Sequence, residues 1–473
     1  MSAPRLPTFR NCQQAIHLQS VGRTRRNTEC LSGATPQVTC SKFDKNRERR
    51  LFHLFLIPTQ MTPLILPAEI CSLICTSPLL SHSDLLALCH VSRSFRAEAE
   101  RILYTSINLP TPSRRALNSW CTSLIRRPHL GARIQTLSLT MPSQTSLQAD
   151  DLTRLTHALH LCINLRDLSI LDGEPPFLGN AVQAWVLEGH TFTLQKFTNT
   201  YFTTTMLRDF LDSQKSLTTL SHRPSSSTQV TVGTRLPRTE TLPKLTTLNT
   251  SAAIVRELGQ ADFESWESVK RLQYFLVNPR EEDELATFVA LTSFGPLESL
   301  SIERWQEKTQ AGMDVAIIVA CVAAQMPNLK YLRIMDYTFL VRLLFPKNPL
   351  INKSHLQRDG YQVSFLPFPM RFTRLKTLVI KPATVNPLLD PPISAYPDLL
   401  QPTRRLEVAE RIMNNLPTLE SLVLILPEKN YEFTRDEGGG GAVWVVQNEV
   451  EVDDDAWMKV QLTDDLKNGD GDD

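Results

Sequence analysis

The chain has 473 residues, 42% of them hydrophobic and 21% charged, an ordinary globular composition with ample length for a large core. Lys plus Arg (50) and Asp plus Glu (49) nearly cancel to a net charge of +1, which excludes a chain whose whole body is a footprint for nucleic acid or an anionic membrane. Its apolar runs are short, as at Ala316–Ala324, well under the roughly 18 residues that a membrane-spanning helix needs.

The charge is unevenly placed. Residues 1–60 hold ten Arg/Lys against three Asp/Glu, a net of +7. This predicts a basic, disordered extension, with two alternatives: a transit peptide, or a working start at Met61. The basic stretches Arg23–Arg26 and Lys42–Arg50 lack interleaved aromatics, so no nucleic-acid reader is expected. The nine cysteines (Cys12, Cys30, Cys40, Cys71, Cys75, Cys89, Cys121, Cys162 and Cys321) form no CxxC pair and read as core residues of a reducing compartment.

The stretch 64–109 predicts three short helices. Pro67 opens the first with Glu69 in its first turn, and Leu66, Ile70, Leu73 and Ile74 form its apolar stripe. A Ser/Pro segment from Ser77 to Ser83 breaks it. Ser83 is the expected N-cap of the second helix, ahead of Asp84, with Leu85, Leu88, Cys89 and Val91 as its stripe. Ser92 precedes the third, which places Phe95, Ala99, Ile102 and Leu103 on one face. Helices in so few residues bury little surface alone, so the module is expected to dock on something else.

The order Leu66-Pro67-x-Glu69-Ile70, Asp84-Leu85-Leu86-Ala87-Leu88-Cys89-x-Val91-Ser92-Arg93-x-Phe95 and Ile102-Leu103-Tyr104 resembles an F-box, in particular that of fungal F-box proteins. It covers about a tenth of the chain, and Phe95 stands where many members carry tryptophan. The resemblance implies binding to the Skp-family adaptor of a cullin-RING ubiquitin ligase. Leu66, Pro67 and Ile70 would meet the adaptor from the first helix, Leu85, Leu88 and Val91 from the second, and Phe95 from the third.

Over residues 133–426 one pattern recurs: apolar, two others, apolar, one other, apolar. Clear copies are Ile134–Leu139, Leu165–Ile170, Leu297–Ile302, Leu329–Ile334, Leu375–Ile380 and Leu419–Leu424. Weaker copies centre on Phe197, Leu220, Leu248 and Leu272, giving a period near 28 residues that lengthens at the end. Each copy ends with strand alternation. Helical stripes lie between copies: Leu152, Leu155, Leu159 and Cys162; Leu285, Phe288 and Val289; Val315, Ile318, Val319 and Val322; Leu406, Ala409, Ile412 and Met413. A strand and a helix per repeat predict an α/β fold, an irregular leucine-rich-repeat solenoid with a curved parallel sheet and outer helices. The usual Asn or Cys after each strand is replaced by Pro142, Gly173, Trp305, Tyr337, Ala383 and Pro427, so the turns need other partners. Residues 221–241 and 341–402 read as loop insertions.

Residues 435–473 carry three Arg/Lys and twelve Asp/Glu. A capping strand at Ala442–Gln447 is expected, then Trp457–Val460 packing on that cap, within an acidic tail in which Asp453–Asp455 are simply solvated. No phosphate loop, GxSxG or HExxH occurs, and His157 and His160 have no third metal ligand in sight. The resulting expectation is a non-catalytic substrate-recognition subunit of a Skp/cullin/F-box ligase, without cofactor or metal, cytoplasmic or nuclear, with an unidentified protein substrate on the solenoid. The alternatives are a repeat scaffold outside any ligase and an enzyme with a cryptic site.

Overall fold

A computed structural model of the chain describes residues 66–142, 147–172, 184–202, 204–223, 242–260, 266–277, 279–307, 313, 315–339, 372–382, 384–386, 393–394, 399, 401–426, 429–436 and 444–459. The basic extension 1–60, most of both expected insertions, the turn positions Gly173, Ala383 and Pro427, Gly438–Gly441, and the tail from Val460 onward lie outside these residues. What is described falls into two compact units that meet in sequence at Thr105/Ser106.

The first unit has three helices: α1 (Ala68–Cys75), α2 (His82–Leu88) and α3 (Arg93–Thr105). Pro67 is the N-cap of α1 and Glu69 lies in the first turn, where a carboxylate favours the positive helix end. The N-cap of α2 is Ser81, not the expected Ser83. Asp84 accepts from the Ser81 backbone N–H at 2.9 Å and the Ser81 hydroxyl accepts from the Asp84 N–H at 3.3 Å, a reciprocal capping box that Ser83, inside the helix, cannot close. At the start of α3 the Phe95 N–H donates to Ser92 Oγ at 3.2 Å. The core of this unit is Cys71, Cys75, Leu85, Phe95, Ala99 and Leu103, with Leu66, Leu80, Leu88, Cys89, Ile102 and Tyr104 half-buried around it.

The second unit is one 13-stranded, mostly parallel open sheet, solenoid-like in that each strand pairs with the next in sequence. Its strands are β1 (Ser106–Leu109), β2 (Thr136–Met141), β3 (Asp167–Asp172), β4 (Lys196–Asn199), β5 (Thr219–His222), β6 (Thr247–Ser251), β7 (Arg271–Val277), β8 (Ser299–Glu307), β9 (Tyr331–Phe339) and β10 (Thr377–Lys381), continued by β13 (Ser421–Ile425). The first strand thus begins within the stretch read as the helical module. A separate two-stranded sheet, β11 (Thr384–Asn386) with β12 (Ile393–Ser394), precedes β13. β10 joins the ladder inside the segment read as the 341–402 insertion.

The repeat in the sequence becomes a row in space. Leu137, Leu168, Phe197, Leu220, Leu248, Leu272, Leu300, Leu332, Leu378 and Leu422 pair strand to strand in one register and are all buried. Each buried leucine stabilises by about 1.5–3 kcal/mol, but only because a neighbour covers it. A second ladder runs along the strand starts. The carbonyl of Gln135 accepts from the N–H groups of Arg166 and Asp167, that of Arg166 from Gln195 and Lys196, and so on through Gln195, Thr218, Thr246, Lys270, Glu298, Lys330 and Lys376 to Glu420 and Ser421. This ladder continues unbroken through the two longest repeats, so loop length between strands does not disturb the register.

Helices α4 (Arg114–Arg126), α5 (Pro128–Gly131), α6 (Ala149–His160), α7 (Thr204–Ser213), α8 (Ala252–Gln260), α9 (Glu281–Leu291), α10 (Val315–Gln325) and α11 (Pro402–Asn415) connect the strands. Sequential parallel strands joined by crossovers of one hand place these helices on one face of the sheet. The opposite face is half-buried at Ser138, Ser169, Thr198, Ser221 and Asn249 and buried at Gln273, Ser301, Arg333 and Val379. The stripes expected in α6 and α10 are buried: Leu152, Leu155 and Leu159 with Cys162 just beyond, and Val315, Ile318, Val319 and Val322. In α9 the expected stripe is rotated. Phe288 is buried but Leu285 and Val289 are exposed, and Glu284, Thr287 and Leu291 turn inward instead. In α11, Ala409, Ile412 and Met413 are buried, while Leu406 is only half-buried. Between α8 and α9 a Cβ on Gly259 would sit 2.5 Å from Ala290 Cβ, so the helices touch where only glycine fits.

The far end of the sheet is closed by β14 (Asn430–Asp436) and β15 (Trp444–Glu449), both antiparallel. The Arg435 guanidinium donates to the carbonyls of Leu419, Met413 and Leu416, which satisfies backbone acceptors around the end of α11. Arg405 stacks on the Tyr431 ring at 3.7 Å. The chain then turns back into a short helix, α12 (Ala456–Lys459).

Candidate functional site

Two surfaces and one buried cluster hold the residues with chemistry to offer. The first surface belongs to the helical unit. Of the seven residues singled out in the sequence, Pro67, Ile70 and Val91 are exposed, Ile70 at 41% and Val91 at 66%. Leu66 and Leu88 are half-buried, packed against the core. Leu85 and Phe95 lie inside that core and hold the three helices together, so they present nothing outward. Leu73, Ile74 and Leu86 are exposed as well. The reason is geometric: Cys71 and Cys75 supply the inward positions of α1, which turns Ile70, Leu73 and Ile74 outward. Ile70, Leu73 and Ile74 at i, i+3 and i+4 make one continuous strip of solvent-facing apolar surface.

The second surface is the face of the sheet opposite the helices. Strand residues one place after each leucine point there. On β8 and β9, Trp305 and Tyr337 stack at 4.1 Å with Lys381 of β10 over the Tyr337 ring. The two rings stack across neighbouring strands at corresponding positions of their repeats. Arg223 reaches Asn249 at 3.0 Å and Glu303 at 3.3 Å, and Gln273 also donates to Glu303. Residues 453–459 lie on this face. Trp457 packs with Tyr331 and Val379, and its carbonyl accepts from Ser299 Oγ at 2.9 Å. This corrects the expectation that Trp457 packs on the cap. It also corrects the reading of Asp453–Asp455 as solvated only: Asp454 accepts from Arg333, and Asp453 from Lys459.

The cluster that sequence reading missed lies on the helix side. Arg304 makes a two-pronged pair with Asp336 at 2.5 and 2.6 Å and reaches Glu284 at 3.0 Å and the Met313 carbonyl at 2.6 Å. The Met313 N–H donates to the second Glu284 oxygen at 2.6 Å. All three ionic side chains are buried. Burial alone opposes the Arg304 charge, but Asp336 and Glu284 hold its pKa above the ordinary value. Burial pushes the Glu284 carboxyl up, against the pull of Arg304 and the Met313 N–H. The signal was legible: Arg304 and Asp336 share a register and both fall on the leucine phase of their strands. Glu284 following them inward accounts for the rotated face of α9.

A second polar set interrupts the core row that begins at Leu139. Asn199, His222, Thr250 and Tyr274 replace aliphatic residues there, all buried. Asn199 Oδ1 accepts from the N–H groups of Tyr201 and Phe202 at 3.2 and 2.9 Å, and its Nδ2 meets His222 Nδ1 at 2.9 Å. Asn199 thus satisfies the turn after β4 from within the strand. Burial lowers the His222 pKa to about 4.

The Arg304 cluster is sealed and its charges are mutually satisfied. A hollow of about 240 Å³ beside Lys270, Glu298, Asn328, Lys330 and Arg374 is smaller than an ordinary ligand cavity, and Lys330 there is paired with Glu298 at 3.1 Å. His160 Nε2 lies 3.0 Å from the Glu188 carbonyl. Among the described residues there is no group of three or more His, Cys, Asp or Glu side chains placed to hold a metal, and no helix is long and apolar enough to cross a membrane. No protein-family model matches the chain, and no curated protein matches it in sequence.

Proposed function

We propose that the chain is a substrate-recognition subunit of a Skp/cullin/F-box ubiquitin ligase. In this reading residues 66–105 are an F-box that binds a Skp-family adaptor, and the sheet unit is a degenerate leucine-rich-repeat solenoid that holds a protein substrate. The observation that carries the reading is the solvent-facing apolar strip on the helical unit. Six large hydrophobics (Ile70, Leu73, Ile74, Leu79, Leu86 and Val91) are exposed there, half of all those exposed among the described residues. A patch of this kind on so small a unit fits an interface. The adaptor contacts are then Pro67, Ile70, Leu73 and Val91, with Leu66 and Leu88 at the edge. Leu85 and Phe95 act from inside by holding the helices in place.

The subunit does no chemistry. It raises the local concentration of a substrate near a ubiquitin-charged enzyme. The chain is accordingly placed in the cytoplasm or nucleus, where such ligases work.

The test is co-expression of the full chain with a fungal Skp-family adaptor and purification on the adaptor's tag. The double variant Ile70→Asp/Val91→Asp puts two charges into the interface without touching the helical core. Both positions are exposed in the free chain, so the variant should fold as wild type and fail to co-purify. A folded wild type that does not co-purify would overturn the ligase reading and leave a repeat scaffold that binds partners outside any ligase.

A further inference from the structure

Arg333 is the starting point. It sits on β9, on the face opposite the helices, and only 2% of its side chain is exposed. A guanidinium so deeply covered needs an anionic partner. Its partner is Asp454, whose carboxylate accepts from Arg333 Nη2 at 2.6 Å while the Asp454 carbonyl accepts from Nη1 at 2.7 Å. Yet Asp454 is itself 85% exposed, and no acceptor meets Arg333 Nε. The pairing is thus lopsided: the receiving group is built into the sheet, and the delivered group rides on a short segment at the surface.

The same segment delivers Trp457. Its side chain is buried against Tyr331 and Val379, with Val423, Ile425 and Met458 around it, so three neighbouring strands shape the seat. Ser299, fully buried on a fourth strand, donates to the Trp457 carbonyl at 2.9 Å. The segment's regular structure is only the four residues of α12, and its remaining polar contacts are internal, Lys459 to Asp453 and the Asp455 N–H to Asp453 Oδ1. A seat of one buried cation, one apolar slot and one side-chain hydroxyl donor, filled by a short surface segment, is built as a peptide-binding site is built. A few buried anchors there supply most of the energy.

We propose that the face of β8, β9, β10 and β13 opposite the helices is a binding site for a short acidic-aromatic peptide, an Asp followed three residues later by a Trp, and that residues 453–459 fill it in cis. A partner carrying that motif enters by displacing the chain's own segment. A tethered segment acts at a high effective concentration, on the order of millimolar, so a partner must bind tightly or multivalently to win. The site therefore selects its partner. The proposal concerns the sheet unit alone and stands whether or not the helical unit binds an adaptor.

The test uses a fluorescent peptide of the chain's own sequence, Asp-Asp-Asp-Ala-Trp-Met-Lys, and the full-length protein. Fluorescence anisotropy should show weak binding to wild type. Binding to Trp457→Ala, in which the seat is vacated, should be about tenfold tighter or more. Adding Arg333→Gln to Trp457→Ala should remove the gain, as should Asn for the second Asp, or Ala for Trp, in the peptide. Trp457→Ala folded but binding no better than wild type would overturn the proposal. Hydrogen exchange on wild type covers the case in which Trp457→Ala fails to fold. Excess unlabelled peptide should speed exchange of the 456–459 amides and leave those of β9 unchanged. Exchange at 456–459 as slow as in β9 and indifferent to peptide would make the segment a fixed part of the core and overturn the proposal equally.

Discussion

Within residues 66–105 the helical unit leaves Ile70, Leu73, Ile74, Leu79, Leu86 and Val91 in solvent, and among its described residues the far longer sheet unit leaves no more large hydrophobics than that exposed. The sheet unit can cover itself because every repeat has a neighbour: the leucine of one strand is roofed by the leucines on either side. Three short helices have no such neighbours. Their inward positions are filled by Cys71, Cys75, Leu85, Phe95, Ala99 and Leu103, a small core that cannot absorb a second apolar face. The contrast separates apolar residues that build a core from those left on the surface.

The largest expected effect lies in the sheet unit. Arg304→Ala leaves Asp336 and Glu284 buried without a counter-charge and should cost about 3–5 kcal/mol. Hydrogen exchange should show lost protection in β8 and β9, with α1–α3 unchanged. Replacing Arg304 by Met together with Asp336→Leu and Glu284→Leu should recover most of the loss, because the charges leave as a set.

In the helical unit the matching change is Phe95→Ala, which empties a core position and should cost about 3 kcal/mol. The same exchange measurement should then find α1–α3 unprotected and β8 and β9 intact.

The third prediction concerns pH. His222 is held neutral by burial, with its pKa near 4 against 6.5 for the free side chain. As pH falls below about 6.5 the unfolded chain takes up a proton that the folded chain refuses. Stability is therefore full above that pH and declines toward pH 4, by about 1.4 kcal/mol per unit at most. Unfolding free energies from urea titrations at pH 7 and pH 5 should differ by about 2 kcal/mol in wild type from this group, and His222→Gln should shrink the difference. An unchanged difference would mean that the Asn199–His222 pair is not the acid-labile point of the sheet unit.

The smallest effect sharpens the comparison most. Ile70→Ser, in the exposed strip, should alter stability by no more than about 0.5 kcal/mol. A cost near that of Phe95→Ala would show that the strip is covered in the free protein.

Much of this fold was legible because a repeat writes the same constraint many times. Ten copies, four of them weak, mark the strands, and the structure places all ten central residues in one row. Asn199, His222 and Thr250 break the aliphatic pattern of the adjoining row, which is why copies at those strands read faintly. The face of α9 was misread because Leu285 and Val289 look like core residues and Glu284 does not. Hydrophobicity alone cannot know that Arg304 waits across the interface. In the helical unit, Leu85 and Phe95, named as adaptor contacts from the F-box resemblance, are packed in the core of the three helices.

The amino-acid sequence by itself determined the local elements and the strand register: periodicity of 2 and 3.6 residues, caps at Pro67 and Ser92, and a leucine spacing that admits one stacking. Those are short-range properties, carried by neighbouring residues. What only tertiary structure decided is which side chains from distant repeats share a site. Arg304 meets Glu284 and Asp336, and Arg333 meets Asp454 across 121 residues. The repeat register aligns Arg304 with Asp336, but no pattern along the chain brings in Glu284 or Asp454, because the burial that makes one charge require another exists only once the strands have been laid side by side.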